Sequence, residues 1–238
     1  MDGSNPKIAQ VTVDWQRMPG ASWLFEKRVG RRWSLCDGTF ADRLAAVCAQ
    51  LHLDSPCNPW ALCPLPPHTY HVTALDGFEH ANLGPGRLRT ALEAGPACDP
   101  DELDEALEKS GVEECELMLA DGPVRFEFRA LRLWRSSALA AELHPLNAGF
   151  DRFLAARERL NVELQRRIGG GAHRPYTPHI TLAYCARPER AGVLGDYRLA
   201  QWNGLFAEAL AGLSVEYTAI GLYVYTDMVS FYRMARRR

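Results

Sequence analysis

Apolar and polar residues alternate through "VRFEFRALRLW", residues 124–134, with the two-residue period of a half-buried strand, and "ALAAEL", residues 138–143, can return beside it as a hairpin partner. Elsewhere the period lengthens to that of a helix. In "DRLAAVCAQLHL", residues 42–53, Leu44, Val47, Cys48 and Leu51 fall on one stripe. A second helix is predicted in "DPDELDEALEKSG", which has Pro just inside its start and Gly at its end. A long Arg-rich helix is predicted over residues 148–168, with Asn147 as its cap and Gly169 to Gly171 as its stop. "LAQWNGLFAEALAGL", residues 199–213, reads as another helix. "SVEYTAIGLYVYTDMVSFYRMA" reads as two strands around a turn at Thr226 and Asp227. The Pro-rich "SPCNPWALCPLPPHTY" excludes helix and predicts an extended chain or edge strand up to Tyr70, and "DGFEHANLGPGRL" reads as turn and loop. Residues 1–22 are polar and broken by Pro and Gly, an extended lead-in to a single bilobal domain over 23–238.

Two short apolar runs stand out against this pattern, "TYHVTALDGF" at 69–78 and "TPHITLAYCA" at 177–186. Each holds a His, one variable residue and a Thr. They belong to a wider internal repeat in which "DRLAA" at Asp42 matches "DRFLAA" at Asp151 with one insertion, and "FEFRALRLW" at Phe126 matches "VEYTAIGLY" at Val215. Both halves therefore run helix, HxT strand, helix, strand pair. Seven His and nine Thr in this chain give about 0.26 HxT matches by chance. One match would mean little, but two at equivalent places of a repeat mean much more.

Composition narrows the chemistry. With 238 residues and 47% hydrophobic content the chain can bury a full core. No apolar run is long enough for a membrane helix and the N-terminus lacks a signal core, so a cytoplasmic protein is expected. The formal charge of −2 argues against bulk DNA or RNA binding, while a small or end-bound phosphate stays compatible. Seven cysteines without a CxxC pair argue against a disulfide framework or structural zinc. Arg outnumbers Lys twenty-four to three, which the codon bias of a GC-rich genome explains as well as a preference for phosphate does. A monomer with no cofactor and no metal is expected.

Side chains alternate along a strand, so His71 and Thr73 project to one side while Val72 and Ala74 project to the other, and His179 and Thr181 behave likewise. If the two combs face one another about a pseudo-twofold axis, two imidazoles and two hydroxyls converge. One neutral imidazole can take the proton of an attacking hydroxyl or water while the other, protonated, donates to the departing oxygen. The hydroxyls can donate to the non-bridging phosphate oxygens.

These segments resemble the motifs of the two-histidine (2H) phosphoesterase superfamily, defined by two HxT or HxS strands in a bilobal, duplicated α+β fold. "YHVTALDGF" is similar to its first motif and "RPYTPHITLAY" to its second, in which Tyr176 precedes Pro178 and His179. The resemblance runs from about Trp23 to the C-terminal hairpin. It implies two antiparallel sheets flanked by helices, with the cleft between the lobes. It implies hydrolysis of 2′,3′-cyclic or related nucleotide phosphodiesters, or ligation of RNA ends, usually without metal. It also implies proton transfer by His71 and His179 and substrate contacts from Thr73, Thr181 and Tyr176. The Pro-rich approach "CPLPPHTYHVT" and the long spacer before Val124 depart from the RNA-ligase-like branch. An RNA-processing nuclease and a non-catalytic nucleotide-binding module remain alternatives. Further candidates for ligand contact are His68, His173, Arg174 and Tyr225, each weighed against a solvated loop or a core position. The basic face of the Arg-rich helix is weighed in the same way against an ion-paired surface.

Overall fold

The first sheet is built on β1 (Gly20–Val29), where Ala21, Trp23 and Phe25 fill the core and Glu26 is buried among them. The computed structural model describes residues 15, 18–36, 38–53, 61–79, 83, 85–94, 100–110, 119, 122–134, 137–168, 175–187 and 194–234. β1 turns through Gly30, at φ 61, into β2 (Arg32–Ser34). The chain then enters α1 (Gly38–Gln50), whose stripe is Phe40, Leu44, Val47 and Cys48. The helix starts one turn earlier than its sequence pattern suggests, because Phe40 extends the same buried face. β3 (Leu62–Pro64) is the expected edge strand. A 3-10 turn over Pro67–Thr69 leads to β4 (Thr73–Glu79).

α2 (Arg87–Ala94) and α3 (Pro100–Lys109) follow. The sequence reading of loop through Leu88 is corrected here. Leu88, Ala91 and Leu92 sit at helical spacing and are buried, and that apolar face outweighs the Gly-Pro-Gly punctuation before it. The next elements are β5 (Val124–Trp134), β6 (Ala138–Pro145), α4 (Gly149–Ile168), β7 (His179–Cys185) and α5 (Gly195–Ala209). The chain then forms β8 (Ser214–Tyr217), β9 (Ala219–Tyr225) and β10 (Phe231–Arg233). Asn147 holds β5 more than it caps α4: its Oδ1 accepts from Arg125 N at 3.2 Å and its Nδ2 donates to Pro123 O at 2.6 Å.

Two five-stranded antiparallel sheets result, one ordered β10-β9-β1-β2 with β4 also on β1, the other β3-β7-β6-β5-β8. Helices flank them in a bilobal, duplicated α+β fold. The repeat predicted from sequence is real in the register, since β1–α1–β4 corresponds to β6–α4–β7, and β9 to β5. The halves nevertheless exchange strands. β5, which follows the first HxT motif, pairs with β6 in the second sheet, and β9, which follows the second motif, pairs with β1 in the first.

The expected first strand of the C-terminal pair is therefore two strands in two sheets. It breaks at Thr218, whose N–H donates to Glu26 O at 3.1 Å, so β8 pairs with β5 and β9 with β1. Unbroken alternation conceals such a break, because both pieces keep one face buried. Phe25 joins the lobes, lying 5.6 Å from Phe126, 4.8 Å from Phe153 and 5.4 Å from Tyr217 between ring centres. Among the described residues, no helix is long and apolar enough to cross a membrane.

Candidate active site

Behind this aromatic cluster the two HxT segments meet. Val72 and Ile180, the central residues of the two motifs, form an isolated antiparallel bridge, and both are fully buried. Residues directly opposite in an antiparallel pair share a face, so if Val72 and Ile180 both turn inward, their neighbours turn outward together. His71, Thr73, His179 and Thr181 are accordingly all half-buried while Val72, Ala74, Ile180 and Leu182 are buried. With about 3.4 Å per residue along a strand and about 5 Å between strands, the Cα atoms of His71 and His179 stand roughly 8 Å apart on the diagonal.

Both histidines are held in the same way. His71 Nδ1 lies 2.7 Å from Thr69 O and His179 Nδ1 lies 2.9 Å from Thr177 O, each two residues back. A carbonyl only accepts, so Nδ1 carries hydrogen in each case and Nε2 is the candidate nitrogen for proton exchange. The prolines set the first anchor: Thr69 N and Oγ1 both donate to Pro66 O, which fixes the 3-10 turn presenting the Thr69 carbonyl. An aromatic ring braces each imidazole, Phe231 at 4.7 Å for His71 and Trp134 at 4.0 Å for His179. Neither ring was identified from sequence, because β10 and the end of β5 are far from the motifs along the chain.

A carboxylate accompanies each histidine on the adjoining strand. Glu142 is opposite His179 on β6, and Leu24 is opposite Thr73 on β1, which sets Glu26 one pleat further along beside His71. Glu26 takes a two-pronged ion pair from Arg233, with Nε and one terminal nitrogen each at 2.8 Å, and a hydrogen bond from the Tyr223 hydroxyl at 2.8 Å. Burial, then the hydrogen bond to Glu26 and the Glu26 charge, push the Tyr223 hydroxyl's pKa up, so it remains a donor. Gly221 makes the room, since a Cβ there would stand 2.7 Å from Glu26 Oε2. Glu142 is bound by Arg132 at 2.9 Å and Arg129 at 3.1 Å. Arg132, Ala140 and Thr181 form one cross-strand row, so the Arg132 guanidinium belongs to the face that carries Thr181. A solitary acid inside the apolar runs "WLFEK" and "ALAAEL" was the available sequence signal for both carboxylates.

The Tyr176 hydroxyl donates to Thr73 O at 2.7 Å, and burial raises its pKa. Arg157 lies over its ring at 4.6 Å while donating from Nε to Ala74 O at 3.0 Å, so α4 and the second motif together clamp the first motif's strand. His68 is exposed on the 3-10 turn. Tyr225 is buried and packs 5.6 Å from Phe231. His173, Arg174 and the glycines at 169–171 lie outside the described residues. On α4, Glu163 pairs with Arg166 at 2.7 Å and Arg167 at 2.5 Å, the ion-paired surface weighed above. Cys36, Cys48, Cys63 and Cys185 are buried, and burial pushes Cys48 and Cys63 up to about 11.

No protein-family model matches this chain, and no curated protein does. Among solved structures the chain is similar to the conserved protein of unknown function ATU0111 from Agrobacterium tumefaciens str. C58. That match has a TM-score of 0.59 and 16% identity, over 99% of this chain and 94% of that one. It is also similar to a structure described as a phosphoesterase, with a TM-score of 0.46 and 12% identity over 93% of this chain and 100% of that one. Usb1 from Kluyveromyces marxianus gives 0.43 and 12%, over 91% of this chain and 97% of that one. At these identities the likeness to ATU0111 is one of fold.

Proposed function

We propose that this chain is a metal-independent phosphoesterase that hydrolyses a 2′,3′-cyclic or closely related nucleotide phosphodiester. The observation that carries the reading is the Val72–Ile180 bridge, which turns both His/Thr pairs to one face. The matched Nδ1 anchors support it further, because general acid–base work needs each imidazole to expose a defined nitrogen.

In this reading one imidazole, neutral, takes the proton from water at its Nε2 as the water oxygen bonds to phosphorus. The other, protonated, delivers its Nε2 proton to the ribose oxygen as the P–O bond to that oxygen breaks. The products are a nucleoside monophosphate and a regenerated pair with the proton exchanged between rings. The Thr73 and Thr181 hydroxyls donate to the non-bridging oxygens, where negative charge grows in the transition state. Tyr176 acts as a positioning residue, through its hold on the Thr73 carbonyl.

The test is a screen of 2′,3′-cyclic nucleotides, ADP-ribose cyclic phosphate and short RNAs with cyclic-phosphate or hydroxyl ends, scored for hydrolysis and for end joining. His71→Ala and His179→Ala should each lose about 10²–10⁴-fold in kcat. Turnover should follow a bell-shaped pH profile and persist in EDTA. Turnover by the double variant, or its loss on chelation, would overturn the mechanism; end joining without hydrolysis would favour a ligase.

A further inference from the structure

On the same face of the first sheet, beyond His71, a groove of about 760 Å³ opens among β2, the start of α1, the 3-10 turn and β10. Its membership follows from register. Thr73 is opposite Leu24, Tyr223 opposite Ser22, Phe231 opposite Tyr225 and Trp33 opposite Arg28, so these side chains share the face of Glu26. Phe231 is a wall of the groove and also the ring packed on His71, so the groove and the candidate catalytic imidazole are neighbours across one side chain. The volume is within the roughly 300–1,000 Å³ of small-molecule sites and exceeds what a lone phosphate needs.

The lining is of a particular kind. Trp33 stacks on the Arg233 guanidinium at 4.6 Å and is 39% exposed, so an aromatic surface is held by a cation that is itself locked on Glu26. Arg31 and Arg32 line the rim, Arg31 as the second residue of the two-residue turn after β1 and Arg32 as the first residue of β2; Gly30, the first residue of that turn, adopts the positive φ that a turn of the type II′ kind needs there. No ion pair among the described residues engages either arginine. The Arg233–Glu26 pair cancels, and among the described residues that line the groove Asp42 is the one acid set against Arg31 and Arg32. A planar aromatic platform with two arginines at its rim suits a nucleobase and a phosphate.

We infer that this groove is a second-phosphate subsite: the preferred substrate is a nucleotide whose scissile phosphodiester lies at the histidines and whose additional phosphate lies against Arg31 and Arg32. The inference rests on the phosphoesterase reading for the position of the scissile group, and it extends that reading to a substrate class. A nucleoside cyclic phosphate without a further phosphate fills the site only in part.

The experiment compares adenosine 2′,3′-cyclic phosphate with and without a 5′-phosphate. The wild-type protein is expected to prefer the 5′-phosphorylated substrate about tenfold in kcat/KM, and Arg31→Ala/Arg32→Ala to bring that preference near one through KM. Arg87→Ala/Arg89→Ala makes the same charge change on α2, outside the groove, and should keep the preference. Absence of the preference in wild type, or its survival in Arg31→Ala/Arg32→Ala, overturns the inference. A binding arm separates this failure from failure of the phosphoesterase reading. Calorimetric titration with adenosine 5′-monophosphate and with adenosine should show tighter binding of the phosphorylated probe, abolished by Arg31→Ala/Arg32→Ala, whether or not either cyclic substrate turns over. Equal binding of the two probes overturns the subsite independently of catalysis.

Discussion

Replacing Tyr176 by Phe removes one oxygen and leaves the ring, so the perturbation can be worked out in full. The ring retains its neighbours Phe150 and Phe153, at 6.0 and 5.7 Å, and the Arg157 guanidinium above it. What is lost is the 2.7 Å hydrogen bond to Thr73 O, a carbonyl on the strand that carries the first motif. Stranding a buried acceptor costs about 1–3 kcal/mol. At about 2–4 °C per kcal/mol for a chain of this size, the melting temperature should fall by roughly 2–12 °C. If the hydroxyl serves only to hold β4, the variant should also show a lower kcat with KM nearly unchanged, because Thr73 and His71 lose alignment while the substrate loses no contact. Thermal unfolding followed by circular dichroism and steady-state kinetics on the best substrate measure the two effects together. An unchanged melting temperature with a raised KM would refute the reasoning and return Tyr176 to direct substrate contact.

Two further substitutions examine the supports of the site. Arg233→Met leaves the wholly buried Glu26 carboxylate without its ion pair and should cost about 3–5 kcal/mol in urea unfolding. A loss below 1 kcal/mol would mean that water reaches Glu26 and that the pair is not structural. Gly77→Ala puts a Cβ within 2.0 Å of Ala21 O, a backbone atom that cannot swing aside, so the β1–β4 register must yield. Overpacking of this kind costs about 1–3 kcal/mol, and amide exchange along residues 73–78 should accelerate; unchanged protection there would contradict it.

Part of the candidate site's geometry was legible before any tertiary structure. The two-residue period makes His71 and Thr73 neighbours on one face whatever covers the other, and the same holds for His179 and Thr181. The spacing of Leu44, Val47 and Cys48 likewise defines the buried side of α1. What stayed hidden was everything contributed by strands from elsewhere: the Phe231 and Trp134 braces, the Glu26 and Glu142 positions, and the Tyr176 bond to Thr73. α2 was missed because Gly-Pro-Gly punctuates the chain immediately before it, and the break at Thr218 because alternation continues across it.

Periodicity states which side of an element is apolar, and here it determined the strands, most helices, the duplication and the pairing of His with Thr. It is silent on which element arrives to cover that side. That choice belongs to long-range packing, where Phe25 is covered by rings from β5, α4 and β8 together. The tertiary structure therefore decided that Val72 meets Ile180, that β5 and β9 trade sheets, and that an acid takes the cross-strand position beside each motif histidine. The physical reason is that backbone pairing is nearly indifferent to residue type, so partners are selected by the core they jointly bury.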